Sequence, residues 1–115
     1  MKEVRKIAQM YEKDLIELAE KLEKYYDGEI EEDPLDEFLD GVLDVKRVQA
    51  LTENGWETTN YILCLGWGGP GIWLETGNYV IEVAWGGDHV RWVVFDERAR
   101  KAIDEIHEHL EEIEG

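Results

Sequence analysis

The stretch Val45-Lys46-Arg47-Val48-Gln49-Ala50-Leu51-Thr52-Glu53-Asn54-Gly55-Trp56-Glu57-Thr58-Thr59-Asn60-Tyr61-Ile62-Leu63-Cys64-Leu65 decides the fold. Two runs suited to strands flank Glu53-Asn54-Gly55. Asn-Gly between such runs is the strongest short-range hairpin signal, because both residues tolerate the left-handed backbone of a tight turn. The sequence predicts a strand over Val45–Thr52 and its partner over Trp56–Leu65. Downstream the punctuation repeats. Ile72–Glu75 and Tyr79–Ala84 flank Gly77-Asn78, and Val90–Phe95 follows Gly86-Gly87-Asp88. Connections this short join antiparallel neighbours, since parallel pairing needs a crossover of about a dozen residues or more. An antiparallel meander of four to five strands is expected.

On either side of this region the apolar period is that of helices. Val4, Ala8, Tyr11, Leu15, Leu18, Leu22 and Tyr25 form one stripe, with Gly28 placed to stop the helix near residue 27. Glu17 with Lys21, and Glu20 with Lys24, are spaced to support it from the solvent side. The stripe is too short for a free coiled coil and suits packing on a sheet or a second helix. Asp33 before Pro34 reads as an N-cap and N1 proline, opening a short helix from Pro34 to about Leu43. Leu35, Phe38, Leu39 and Val42 would face inward there, and Asp36, Glu37 and Asp40 outward. Asp96 would cap a last helix from Glu97 to about Ile113, with Ala99, Ile103, Ile106, Leu110 and Ile113 as its buried stripe. The expected fold is a single α+β domain spanning residues 1–115. It has two N-terminal helices, the meander, and one C-terminal helix packed on the sheet, leaving the other sheet face partly open.

Composition bounds the function. A hydrophobic fraction of 43% is enough for a core. Cys64 is the single cysteine, so no intrachain disulfide forms and a reducing, cytoplasmic setting is expected. No apolar stretch approaches membrane-spanning length, no signal-peptide core follows the N-terminus, and no membrane partner is expected. Asp and Glu number 28 against 12 Lys and Arg, a net charge of −16. Such a charge repels phosphate backbones, which disfavours direct nucleic-acid binding, and attracts basic protein surfaces. A merely solvated surface accounts for the same charge.

The charge is also uneven. Between Asp27 and Asp44 there are nine acidic residues and no Lys or Arg, and from Asp104 onward there are six and again none. Carboxylates at a helix C-terminus oppose its dipole at roughly 0.3–1 kcal/mol each, so the second tract does not help its own helix. Glu31, Glu32, Asp36, Glu37, Asp40, Glu108, Glu111 and Glu112 are therefore the expected partner-binding carboxylates, with Trp67 and Trp85 as aromatic anchors.

Catalytic, metal and cofactor signals are not found. Gly66-Trp67-Gly68-Gly69-Pro70-Gly71-Ile72-Trp73 lacks the Lys-Ser/Thr of a phosphate loop and no helix follows it. It is echoed by Ala84-Trp85-Gly86-Gly87-Asp88-His89-Val90-Arg91-Trp92. Most of these tryptophans are expected to fill the core, leaving one or two at the surface. Asp88 and His89 point to opposite strand faces. His107 and His109 do not share a helix face. Cys64, in an apolar strand, reads as an inert thiol. The acidic tract at 27–44 lacks the order of an EF-hand. A ligand or enzymatic pocket around Trp67, Trp85, His89 and Arg91 is the least favoured reading.

The cassette Leu65–Thr76, the strand through Val83-Ala84-Trp85-Gly86-Gly87-Asp88 and the helix at Ala102-Ile103-Asp104-Glu105-Ile106 resemble small proteins of phages and mobile elements. Size and acidity resemble anti-CRISPR and other anti-restriction inhibitors, families without a shared defining motif. What the resemblance implies is a non-enzymatic inhibitor docking on a basic, nucleic-acid-binding protein surface in the host cytoplasm. The alternative is a homo-oligomeric structural or accessory protein joined through a sheet edge or the Trp-rich face.

Overall fold

The computed structural model describes residues 2–114. Helix α1 spans Lys2–Tyr26, α2 Pro34–Asp40, and strands β1 to β5 span Asp44–Thr52, Gly55–Gly66, Gly71–Glu75, Val80–Trp85 and Asp88–Val93. Helix α3, Glu97–Glu114, closes the described chain. The five strands form one sheet in the order β1-β2-β3-β4-β5, each neighbour pair antiparallel, which is the expected meander.

Local chemistry explains most boundaries. The Asp33 carboxylate accepts from the Leu35 N–H and Pro34 opens α2. Asp96 accepts from the N–H groups of Arg98 and Ala99 at 2.9 and 3.2 Å, satisfying donors the first turn of α3 leaves free. Helix α2 is shorter than expected: Gly41 caps it, donating its N–H to the Phe38 carbonyl at 3.2 Å. Leu43 already donates to the Cys64 carbonyl at 2.8 Å, so the chain leaves the helix to enter the sheet. In the first hairpin Thr52 pairs with Gly55, and only Gly55 takes a positive φ, 101°. The turn is thus built on Glu53 and Asn54, not on Asn-Gly as a primed pair. Gly86 and Gly87 do form such a pair, with φ of 61° and 85°, which starts β5 at Asp88 and leaves Phe95 outside it, 76% exposed.

Helices α1 and α3 run in the same direction. Glu20 meets Arg98, Glu23 meets Lys101, and the Tyr26 hydroxyl donates to Glu105. Their apolar stripes and one sheet face enclose a core of Leu15, Leu18 and Leu22, of Tyr61, Leu63, Leu74, Ile81 and Val83, and of Ile103 and Ile106. Two expected positions depart from this. Ile113 is 66% exposed, because the end of α3 is anchored by polar contacts of Glu114 with Arg47 and Tyr61. Tyr79 belongs to the turn rather than to a strand, with φ at 55°. Its hydroxyl donates to Asp104 at 2.6 Å and its ring lies 4.6 Å from the Arg100 guanidinium carbon, contacts that hold a backbone a tyrosine rarely adopts.

The same turn contains a close approach. A Cβ on Gly77 would lie 2.2 Å from the Thr59 carbonyl oxygen, and the Gly77 N–H donates to Asn60 Oδ1 at 2.8 Å. Gly77→Ala is expected to cost about 1–3 kcal/mol, read as a lowered urea midpoint, since backbone rather than a flexible side chain must give way.

Candidate functional site

Register places two kinds of residue on the sheet. Tyr61, Leu63, Leu74, Ile81 and Val83 face the helices. Their neighbours in sequence form rows across the opposite face: Asp44, Cys64, Trp73, Glu82 and Arg91 in one, Lys46, Ile62, Glu75, Val80 and Val93 in the next. Ile62, Cys64 and Trp73 on this face stand outside the helix-lined core and are half-buried.

Trp67 and Trp73 meet at one corner of that face. Trp67 is 75% exposed, in the loop that joins β2 to β3 through a cis Gly69–Pro70 bond. Its ring stands at 81° to that of Trp73, with centroids 6.1 Å apart. The benzo edge of Trp73 lies over Gly71, where a Cβ would come within 2.5 Å of it. The Trp85 indole nitrogen lies 3.7 Å from where a Gly69 Cβ would stand. A groove of about 500 Å³ opens here, lined by Leu43, Asp44, Lys46, Ile62, Cys64, Trp67 and Trp73. The number of surface tryptophans differs from expectation. Trp56, Trp67 and Trp85 are all exposed, Trp73 and Trp92 are half-buried, and only Trp92 packs against the helix-lined core. The expectation of core-filling tryptophans fails at Trp67 and Trp73 because they stand at the sheet face that carries no helix.

Beside the groove, polar residues neutralise one another. Glu75 is buried and accepts from Arg91 at 2.5 Å and from Asn78 at 2.7 Å. Arg91 also reaches Glu82 at 2.5 Å, and His89 Nε2 lies 3.1 Å from Glu82. Burial pushes the Glu75 carboxyl up, but its hydrogen bonds from Arg91 and Asn78 and the charge of Arg91 outweigh burial and hold it at about 2. A carboxylate this firmly ionised has no proton to donate, and the arginine is committed to two acids. His89, Arg91 and Trp85 do not line the groove with Trp67. The Cys64 thiol donates to the Gly66 carbonyl. Among the described residues no group of three or more His, Cys, Asp or Glu is placed to hold a metal ion.

The expected acidic residues fall in two regions, one around α2 and one on α3. Glu31, Glu32, Asp36, Glu37 and Asp40 are all exposed, and Glu31, Glu32 and Glu37 border a groove shared with Lys21 and Lys24 of α1. Glu108, Glu111 and Glu112 are exposed on α3. Glu111 lies 3.6 Å from His107, and Glu114 is occupied by Arg47 and by the Tyr61 hydroxyl, at 3.1 and 2.8 Å. Tyr26 senses both regions. Its phenol is pushed up to about 12 by the hydrogen bond to Glu105, by burial, and by the charges of Glu105, Asp33 and Glu108. A carboxylate of the first tract and carboxylates of the second thus both act on the Tyr26 phenol at the end of α1.

Trp56 and Leu51 were not singled out from the sequence. They pair across the first hairpin and are 66% and 69% exposed. β1 is exposed at eight of its nine positions, a pattern that appears only in the assembled sheet. Comparison with protein-family models, with curated proteins and with solved structures finds no match. No helix among the described residues is long and apolar enough to cross a membrane.

Proposed function

We propose that this chain is a non-enzymatic acidic binding protein that docks on a basic protein surface and inhibits a nucleic-acid-binding effector, in the manner of anti-CRISPR and anti-restriction proteins. The observation that carries the reading is a 75% exposed Trp67, beside Trp73 on a bare sheet face, in a chain with a net charge of −16. An indole left in water by its own fold gains most from a partner that covers it, and indoles dominate interface energetics. The surrounding charge steers cationic partners toward the molecule and turns nucleic acid away.

The test is affinity capture from host lysate, identification of the partner, and titration of the purified pair at low and high salt. Affinity is expected to fall with salt. It should also fall at least about tenfold for Asp36→Lys/Glu37→Lys/Asp40→Lys or for Glu108→Lys/Glu111→Lys/Glu112→Lys. Salt-insensitive binding that tolerates both charge reversals would reject the reading.

A second reading, self-association, rests on β1, an exposed edge strand of nine residues with Val45, Val48 and Leu51 in view. Sedimentation over a wide concentration range decides it: a monomer at every concentration removes it.

A further inference from the structure

The Trp67–Trp73 corner has the chemistry of a site for a cationic side chain, and we infer that it receives an arginine from the basic partner. This inference rests on the docking function proposed above and names the contact that would anchor it. Both indoles line the groove, their planes at 81° to one another, and the negative face of an indole ring attracts a cation. Guanidinium is favoured over ammonium because its flat, weakly hydrated group stacks on an indole and still offers N–H donors at its rim. Asp44 lines the same groove and supplies an acceptor. Trp73 lies over Gly71, where any Cβ would collide with its ring, so one wall of the corner is laid down before a ligand arrives. The groove, about 500 Å³, has room for the side chain together with the backbone that carries it.

Other occupants fit less well. A nucleobase would stack on the same indoles, but its phosphates would meet a chain of net charge −16. A second copy brings the same repulsion. Lys46 also lines the groove, and its ammonium repels an incoming cation. Its replacement by glutamine therefore tightens binding rather than weakening it.

The experiment uses the full chain and two peptides, one with a central arginine between short neutral flanks and the other with citrulline, the neutral isostere, in its place. Binding is followed by calorimetry and by the indole N–H signals in NMR spectra, assigned with Trp67→Phe and Trp73→Phe. The arginine peptide is expected to move the Trp67 and Trp73 signals. Trp67→Ala, Asp44→Asn and the citrulline exchange should each weaken binding about tenfold, and Lys46→Gln should strengthen it. Equal affinity of the two peptides, or an arginine peptide that binds Trp67→Ala as it binds the parent, overturns the inference. If the arginine peptide instead loses affinity only in the α2 and α3 charge-reversal variants, acidic docking survives and the tryptophan site fails. Retention of the citrulline peptide at the two indoles, with no effect of salt, defeats the basic-partner reading itself.

Discussion

Arg91→Met is expected to lower the unfolding free energy by about 2–3 kcal/mol at pH 7, somewhat below the usual loss for breaking a buried ion pair because the arginine itself is half exposed. The Glu75 side chain is 8% exposed, beneath the guanidinium that neutralises it. Asn78, at 2.7 Å, and Asn60, at 3.4 Å, would remain as donors but carry no charge. The sign of the pH dependence follows from the direction of the shift. Glu75 is held at about 2 in the folded protein, against about 4.3 for an unperturbed glutamate. Its contribution is therefore present above the unfolded value and is lost as pH falls from about 4 toward 2. Urea unfolding of parent and variant at pH 7 and at about pH 3 should show a gap that narrows with acid. A gap of equal size at both pH values would mean that Arg91 stabilises through packing of its stem and not through charge.

Features ruled by near neighbours along the chain are legible in the amino-acid sequence. The stripe of α1, the caps at Asp33 and Asp96, and the tight turns each obey short-range rules, and each is found at or within a few residues of its expected place. Features set by distant neighbours are not legible in this way. Nothing near Tyr79 announces a positive φ; the contacts that hold it come from Arg100 and Asp104 on α3. Ile113 continues the apolar period of α3, but the core ends before it does, and periodicity cannot say where the opposing layer stops. The acidic tracts illustrate the same limit. Their composition is plain in sequence, but the cation closest to Glu114 is Arg47, 67 residues away, and the lysines beside Glu31 and Glu37 belong to another helix. The tryptophans are visible as a repeated pattern, while their division between a covered and a bare sheet face depends on strand register, which is a property of the assembled sheet.

That division leads to the second large effect. Trp92→Ala is expected to destabilise the fold by about 3 kcal/mol, while Trp67→Ala stays within about 0.5 kcal/mol of the parent. Trp92 registers with Ile81, a fully buried residue, and packs against the helix-lined core. Its indole N–H donates to Glu12 of α1 at 3.2 Å, so truncation leaves both a void and a lost tie between helix and edge strand. Trp67 has no comparable burial, and its ring contact is with the half-buried Trp73. Urea midpoints of the two variants, measured with circular dichroism so that loss of an indole does not remove the signal, give the comparison directly. Comparable losses would place Trp67 in the fold itself and would deprive the groove of its wall for binding. A stable Trp67→Ala that no longer engages its partner, set against an unstable Trp92→Ala, is the outcome required if the bare face of the sheet serves recognition and the covered face serves folding.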